Sequence, residues 1–169
     1  MSQRDSGYER KERDLYETPE WVTRALLPHI REDVHRIWEP ATGNSKMANV
    51  FKEDFDVIET DIATGVDFLT CSARDVDAII TNPPYEFAQS FIQRALGQAP
   101  LVAMLLRTDF DHAKTRAHLF AEHRFFAKKV VLTKRIKWFE DSAGSPSFNH
   151  AWFIWDYQHK GPPTLAYGP

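Results

Sequence analysis

The sequence predicts an α/β fold, with a mostly parallel sheet, helices on both faces and an antiparallel hairpin near the C-terminus. Three observations support this prediction. Short apolar runs alternate with amphipathic stretches through most of the chain, which is typical of strands that alternate with helices. One run, Ala78–Thr81, ends abruptly at Asn82-Pro83-Pro84-Tyr85. Towards the C-terminus, further apolar runs follow one another without a helical stretch between them, which favours antiparallel strands.

Length and composition predict one domain. The chain has 169 residues, of which 43% are hydrophobic, enough for one well-formed core and too few for two ordinary domains. Residues 1–14 are polar without periodicity and are expected to form a flexible N-terminal arm. Residues 15–160 are expected to form the domain, and residues 161–169 a frayed tail.

The same composition argues against several classes of protein. The single Cys71 excludes an intramolecular disulfide and a multi-cysteine zinc cluster, and the seven histidines lack metal-ligand spacing, so no metal is expected. Cys71 is expected to be a packing residue. No signal-peptide core and no apolar run near the ~20 residues of a membrane span occur in the sequence. We therefore expect a cytoplasmic protein without a membrane role.

Charge is unevenly distributed along the chain. The formal net charge is −3, yet residues 107–137 contain nine Lys and Arg against three acids, an excess of six positive charges. Such a chain can present one basic face to a polyanion. A solvated basic face without a partner explains the charge equally well.

The first helix is predicted shortly after residue 16. Thr18 is a suitable N-cap, Pro19 suits the first turn, and Glu20 favours the positive end of the helix. Apolar residues then recur at helical spacing and give this helix a buried face.

Residues 36–51 resemble the first half of a nucleotide-binding unit. A strand at 36–38, a loop at 39–45 and a helix from Lys46 to about Phe51 follow one another. Gly43 lets the loop turn tightly and approach a ligand, while the helix start presents free amides. The next strand, 56–61, ends in Asp61, at about the interval after the glycine at which dinucleotide-binding folds place a carboxylate for ribose hydroxyls.

The remaining elements follow the same alternation. Residues 65–69 are expected to place another acid, Asp67, at a strand end. We then predict strands at 78–81, 101–106, 130–132, 136–139 and 151–155, helices at 86–96 and 113–122, and a loop at 140–150. A parallel sheet of this kind binds ligands at the carboxyl ends of its strands.

With these elements in order, the chain resembles the class I (Rossmann-like) methyltransferases, and among them the small phage and prophage DNA adenine methyltransferases. The resemblance covers nearly the whole chain after residue 14. It implies S-adenosylmethionine as the cofactor. The residues that it assigns to cofactor binding are Tyr16, Thr18, Pro19, Glu39, Pro40, Ala41, Gly43, Asp61, Ile62, Asp67, Phe68 and Asn82, with Glu59 as the alternative to Asp61. Ser45 stands where a second glycine is common in this family.

The resemblance assigns catalysis to Asn82, Pro83, Pro84 and Tyr85. An exocyclic amine is a poor nucleophile because its lone pair is delocalised into the ring. Acceptors on the Asn82 side chain and the Pro83 carbonyl can hold both amine hydrogens and make the nitrogen pyramidal. A base in duplex DNA must be flipped to reach such a site, and Tyr85 offers it a stacking face.

Substrate recognition is expected near the C-terminus, because the chain has no room for a separate recognition domain. Phe148 is a candidate for the second face of the base, although a lone aromatic residue is as readily a core residue. Lys134, Arg135 and Lys137 are candidates for phosphate contacts. The predicted activity is methylation of the adenine 6-amino group in DNA, and the oligomeric state is left open.

Several alternatives remain open. RNA adenine and the glutamine amide of a protein are methylated by enzymes with the same Asn-Pro-Pro-Tyr sequence, and cytosine in DNA is also possible. A module that binds cofactor or DNA without catalysis is another alternative, which the intact Asn82 and Tyr85 disfavour. A purely structural interpretation of residues 82–85 is a turn that ends a strand, since Asn and Pro both suit turns.

Overall fold

Seven β-strands form one sheet in the part of the chain that the computed structural model describes, residues 16–139 and 148–169. They are β1 (Arg36–Glu39), β2 (Asp56–Glu59), β3 (Ala78–Thr81), β4 (Leu101–Arg107), β5 (Phe126–Leu132), β6 (His150–Asp156) and β7 (Thr164–Gly168). Their order across the sheet is β2-β1-β3-β4-β6-β5-β7. β1 is parallel to β2 and β3, and β3 is parallel to β4. The carboxyl ends of these four strands therefore lie along one side of the sheet, the carboxyl edge.

The C-terminal part of the sheet is mixed. β6 lies between β4 and β5 and is antiparallel to both, and β7 is parallel to β5 at the outer edge. Because β6 runs opposite to β4, its first residue His150 pairs with Arg107, the last residue of β4. β6 thus begins at the carboxyl edge, and the predicted antiparallel hairpin is formed by β5 and β6.

Helices cover both faces of the sheet. They are α1 (Glu20–Leu26), α2 (Lys46–Phe51) and α3 (Ala88–Leu96), with 3₁₀ helices at Leu27–His29, Ile62–Thr64, Tyr85–Phe87, Phe110–His112 and Lys114–Leu119. Successive strand residues point to opposite faces. Ile37 accordingly lies in the core beneath α1 and α2, whereas Trp38 lies in the core beneath α3. The predicted fold class is confirmed.

β3 has the bounds that the sequence predicts. All four of its residues are buried, as expected for a central parallel strand covered on both faces. The strand cannot continue beyond Asn82, because Pro83 and Pro84 lack amide hydrogens for the ladder and fix φ.

The prediction of a strand at 136–139 is wrong. No strand is present there, and the segment lies against the core beneath α1 and α2 as irregular chain. Ile136 is buried and Trp138 packs against the same core, while Lys137 between them is exposed. Side chains of a strand alternate inward and outward in the same way. The sequence pattern therefore does not distinguish a strand from an extended segment that packs on the core.

The expectation that residues 161–169 are frayed is also wrong. Thr164–Gly168 forms β7 and pairs with β5 from Lys128 to Leu132. The Thr133 hydroxyl donates to the Gly168 carbonyl at 2.9 Å. A Cβ on Gly168 would lie 3.3 Å from Cβ of Ala25, so glycine lets this strand pack closely against α1.

Two smaller predictions differ from the structure. Residues 113–122 contain the 3₁₀ helix Lys114–Leu119 and turns instead of an α-helix, because Leu119 and Phe120 both turn into the core. Residues 65–69 form no strand and follow the 3₁₀ helix Ile62–Thr64 as a turn. The predicted arm at 1–14 and positions 140–147 of the predicted loop lie outside the described residues.

Candidate active site

Asn82 lies at the centre of the carboxyl edge. It follows β3 directly, between the ends of β1 and β4. Pro83 is buried, whereas Pro84 and Tyr85 are exposed, and Tyr85 begins a short 3₁₀ helix. Tyr85 is 66% exposed, an unusual position for a large aromatic residue, so its ring borders solvent.

The N-terminal segment sets the orientation of the Asn82 side chain. Its nitrogen Nδ2 donates to the Thr18 hydroxyl at 3.3 Å and to the Tyr16 carbonyl at 3.4 Å. Within the described part of the chain, no group donates to its oxygen Oδ1. The side chain therefore presents an acceptor on the side away from Thr18.

The prediction that Thr18 caps α1 is wrong. Pro19 takes the N-cap position, with its carbonyl accepting from the Val22 amide at 3.0 Å. Thr18 is only 4% exposed and its hydroxyl faces Asn82 instead. The sequence around the start of α1 does not reveal that Thr18 contacts Asn82, because the two residues lie 64 positions apart.

Glu39 connects the ends of β1 and β3. It is 1% exposed, and its carboxylate oxygen Oε1 accepts from the Thr81 hydroxyl and, at 3.0 Å, from the Ala41 amide. Burial raises the pKa of Glu39 to about 8, although these hydrogen bonds act in the opposite direction. Pro40 and Ala41 follow it into the loop that the sequence assigns to the cofactor.

Asp61 ties the loop after β1 to the loop after β2. Its Oδ2 accepts from the Gly43 amide at 2.9 Å, and its Oδ1 accepts from the Ala63 amide at 2.8 Å, capping the 3₁₀ helix Ile62–Thr64. Gly43 has φ of 54°, the left-handed region that glycine adopts without strain. Ser45 also lies in this region, with φ of 65°, where the resemblance places a second glycine.

Glu59, the alternative to Asp61, has strong partners of its own. Its carboxylate forms an ion pair with Lys52 and accepts from the Thr42 hydroxyl at 2.9 Å. Burial opposes ionisation of Glu59, but hydrogen bonds led by that from Lys52 outweigh it and lower the pKa. Among residues 16–139 and 148–169, the Asp61 carboxylate accepts only from backbone amides, one of them that of Gly43, which favours it as a ligand-facing acid.

The pair Asp67 and Phe68 divides between surface and core. Phe68 is 2% exposed and its ring packs against Trp38 and Phe91, with centroid distances of 5.1 and 4.8 Å. A ring so enclosed belongs to the core beneath α3. Asp67 Oδ1 accepts from the Leu69 amide at 2.9 Å and shapes the turn. The predicted contact of Phe68 with the cofactor's adenine is thus at odds with its burial.

Arg107 is a residue of the edge that the sequence analysis did not identify. Its guanidinium carbon Cζ lies 4.0 Å from the ring centroid of Phe148 and 5.7 Å from that of Tyr85. Phe148 is 50% exposed, so both aromatic residues border solvent. The structure thus brings Tyr85 and Phe148 into contact with the same cation. The sequence feature that could have identified Arg107 was its position as the last residue of a central strand.

His150 lies beside this cation and is neutral at pH 7. Burial, and after it the nearby Arg107, lowers the pKa of His150 to about 4. Its ring also packs edge-on against Trp138, with centroids 5.2 Å apart. The positive charge at this point of the edge therefore comes from Arg107.

The three predicted phosphate contacts, Lys134, Arg135 and Lys137, are exposed beyond the end of β5. The Lys134 ammonium lies over the Trp21 ring at 5.1 Å, and Arg135 Nε donates to the Asn149 side chain at 3.0 Å. By contrast, Lys129 is engaged with Asp111 at 3.0 Å. The basic stretch therefore divides into exposed residues near the edge and a paired residue within β5.

Comparison with solved structures identifies the fold. A protein from Listeria monocytogenes assigned to the class I S-adenosylmethionine-dependent methyltransferases matches 86% of this chain with a TM-score of 0.57 and 16% identity. A type I restriction-modification methyltransferase subunit from Streptococcus thermophilus matches 85% with a TM-score of 0.55 and 11% identity. A dimethyladenosine transferase from Plasmodium falciparum matches 83% with a TM-score of 0.59 and 10% identity. No family model and no curated protein matches the sequence.

The chain therefore has the class I methyltransferase fold. It spans 62%, 45% and 61% of the lengths of these three structures, respectively. The described residues contain no cluster of three His, Cys, Asp or Glu suited to a metal ion. None of the helices within 16–139 and 148–169 is long and apolar enough to cross a bilayer.

Proposed function

We propose that this protein transfers a methyl group from S-adenosylmethionine to the exocyclic 6-amino group of adenine in DNA. The observation that carries the proposal is the orientation of Asn82. Hydrogen bonds from its Nδ2 to Thr18 and Tyr16 leave Oδ1 as an acceptor next to Pro83 and the exposed ring of Tyr85. This is the arrangement that a planar amine needs, two acceptors beside a stacking surface.

The chemistry follows from these acceptors. Oδ1 of Asn82 and the carbonyl of Pro83 each accept one amine hydrogen, which localises the lone pair on nitrogen. When bound, S-adenosylmethionine supplies a methyl group on a positively charged sulfur, so the carbon–sulfur bond breaks as the nitrogen–carbon bond forms. One amine proton then passes from the nitrogen to water. A strong base is not required, because the methylated nitrogen carries a positive charge until it loses this proton.

The residues of the carboxyl edge fit an adenosine-containing cofactor. Asp61 offers a carboxylate for ribose hydroxyls, and each of its oxygens keeps a second lone pair after its bond to a backbone amide. Ile62 beside it is exposed and offers apolar surface for a base. The positive φ of Gly43 brings the neighbouring backbone close to the same region. The remaining assigned positions are Tyr16, Thr18, Pro19, Glu39, Pro40, Ala41, Asp67 and Asn82.

A nucleic acid is favoured as the substrate by the surroundings of Tyr85. A flipped base can stack on its exposed ring, and stacking of this kind contributes about 1–3 kcal/mol per base. The exposed Lys134, Arg135 and Lys137 lie beyond β5 at the same edge and suit phosphates. The match to a restriction-modification methyltransferase subunit supports DNA, and the small phage and prophage type remains a prediction.

RNA is the second candidate substrate. The match to a dimethyladenosine transferase has a TM-score of 0.59, as high as any of the three comparisons, and its name refers to adenosine. Stacking and phosphate contacts do not by themselves distinguish the two polymers.

The test is methyl transfer from isotopically labelled S-adenosylmethionine to unmethylated genomic DNA and, separately, to cellular RNA. Mass spectrometry of the digested product distinguishes N6-methyladenine from methylated cytosine. We expect N6-methyladenine in DNA with the wild-type protein and none with Asn82→Ala. Asn49→Ala, on the exposed face of α2, is the matched control and should retain activity. Label found only in RNA, or only in cytosine, contradicts the proposal.

A further inference from the structure

The guanidinium of Arg107 contacts the rings of both Tyr85 and Phe148, with Cζ 5.7 and 4.0 Å from the two ring centroids. Besides its contacts with both rings, Arg107 Nη1 lies 3.5 Å from the Tyr85 hydroxyl. Nη2 forms an ion pair with Asp109 at 3.0 Å. Arginine at the end of a strand ordinarily extends into water, so its position over two solvent-bordering aromatic residues is a specific arrangement.

The position beside these two rings suits a planar group. A guanidinium is flat and delocalised and stacks on aromatic faces, as a nucleobase does. Tyr85 is three residues after Asn82, and Phe148 precedes the strand that pairs with β4, so both rings belong to the carboxyl edge at which Asn82 lies. The guanidinium therefore stacks where a nucleobase would stack.

We propose that Arg107 fills the base-binding space between Tyr85 and Phe148 and that a flipped base must displace it. This inference rests on the proposed function and deepens it, since it makes Arg107 a residue that controls entry of the substrate. Base binding and the stacking of Arg107 on the two rings then exclude one another.

Asp109 gives the displaced side chain a partner. Its carboxylate already holds one guanidinium nitrogen and lies two residues beyond β4, outside the aromatic pair. Arg107 can therefore leave the rings and keep its ion pair. The fraction of protein with Arg107 away from the rings sets the apparent affinity for a base, because only that fraction can bind it.

The test uses adenosine as the probe, because a nucleoside without phosphate does not report on general attraction to basic residues. The cofactor site is first saturated with S-adenosylhomocysteine, so that adenosine cannot bind there. Adenosine affinity is then measured by calorimetry for the wild type, Arg107→Ala and Arg107→Gln. We expect Arg107→Ala to bind adenosine more tightly by a factor on the order of five, from the loss of a cation–π competitor at a partly exposed site.

Arg124→Ala is the matched control. Arg124 also stacks on an aromatic residue, with Cζ 4.6 Å from the Phe125 ring, but it precedes β5 at the opposite edge of the sheet. Its substitution should leave adenosine affinity unchanged. Thermal unfolding of each variant shows whether the fold is intact. If Arg107→Ala is unstable, the adenosine affinity of Arg107→Gln is compared with that of the wild type instead.

Nuclear magnetic resonance gives a direct readout of displacement. The Nε–Hε signal of Arg107, assigned by its loss in Arg107→Gln, should shift when adenosine is added to the wild type and not when it is added to the Tyr85→Ala variant. Unchanged or weaker adenosine binding by Arg107→Ala overturns the proposal. If the wild type methylates DNA while Arg107→Ala gains no affinity, only this inference fails. If the wild type neither methylates nucleic acid nor binds adenosine, the proposed function fails with it.

Discussion

The hydroxyl of Thr18 lies 3.3 Å from the side-chain nitrogen of Asn82 and accepts a hydrogen bond from it. An Asn side chain has an acceptor and a donor of nearly equal size, so a partner is needed to decide which of them faces the substrate. A hydroxyl can accept from Asn82 and still donate to another group. Thr18 can therefore position Asn82 and also contact a cofactor.

The first prediction concerns this contact. Thr18→Val keeps the shape of the side chain and removes the acceptor, so Asn82 loses one of its two orienting partners. We expect kcat for methyl transfer to fall by about five-fold, which corresponds to one neutral hydrogen bond of roughly 1 kcal/mol. Steady-state kinetics with saturating S-adenosylmethionine measures it.

Thr23→Val is the matched control for Thr18→Val. Thr23 lies in α1 and is buried, and its hydroxyl has no hydrogen-bond partner among the described residues. Its replacement should leave kcat unchanged and should not lower thermal stability, since a buried polar group without a partner is removed. Equal losses of kcat in the two variants contradict the positioning role of Thr18.

The second prediction concerns Asp61. Asp61→Ala removes the acceptor of the Gly43 amide and the carboxylate proposed for the ribose. We expect affinity for S-adenosylmethionine to fall by about 10- to 100-fold, from the loss of one or two hydrogen bonds that involve a charged group. Equilibrium dialysis or calorimetry with the cofactor alone measures this change.

Asp56→Ala is the control for Asp61→Ala. Asp56 begins the same strand at the opposite edge, where it forms an exposed ion pair with Arg36. The Asp56→Ala variant should bind the cofactor with unchanged affinity. If Asp61→Ala binds the cofactor as the wild type does, and Glu59→Ala does not, the acid has been assigned to the wrong residue.

Much of the sheet can be predicted from sequence because its strands are short and sharply bounded. Ala78–Thr81 is apolar throughout and ends at two prolines, so local chemistry alone sets its limits. β7 is different, since Thr164–Gly168 becomes a strand only through pairing with β5. Local sequence carries little information about such a partner.

The candidate site divides in the same way. Asn82 and Asp61 follow strands and can be identified from their positions, because parallel strands bring their carboxyl ends together. The cap prediction for Thr18 was wrong, and Arg107 was not predicted as a site residue, because both depend on contacts across the sheet. Phe148 was a candidate from the resemblance, but its contact with Arg107 depends on the pairing of β6 with β4.

The third prediction concerns the pH dependence of folding. The pKa of Glu39 is raised by burial to about 8, whereas an ordinary glutamate has a pKa near 4.5. Below pH 4.5 the Glu39 carboxyl group is protonated in both the folded and the unfolded protein. Between 4.5 and 8 the unfolded chain ionises first, so the unfolding free energy falls as pH rises and levels off above 8.

Glu39→Gln tests this dependence because glutamine mimics the protonated acid. The unfolding free energy of Glu39→Gln should exceed that of the wild type by an amount that grows with pH, reaching on the order of 5 kcal/mol above the raised pKa. Urea denaturation at several pH values measures the difference. A difference that is constant with pH shows that Glu39 is ionised in the folded protein.

The fourth prediction concerns the exposed basic residues beyond β5. If Lys134, Arg135 and Lys137 contact phosphates, replacing all three by Gln should weaken DNA binding and reduce its salt dependence. Each phosphate contact on duplex DNA contributes about 0.9 to the slope of log K against log salt, so the slope should decrease by about 2.7. Fluorescence anisotropy with a labelled duplex over a series of salt concentrations measures it.

Arg124→Gln separates this effect from a general change in charge. Arg124 precedes β5, away from the carboxyl edge, so its loss should leave the slope unaltered. Cofactor affinity should be retained in the triple variant, because none of the three residues belongs to the loops around Gly43 and Asp61. If the triple variant keeps the wild-type slope, the phosphates of DNA lie elsewhere on the protein, and the exposed cations beyond β5 are a solvated face. A smaller slope with unchanged transfer to adenosine instead assigns them to binding of the polymer rather than to the chemical step.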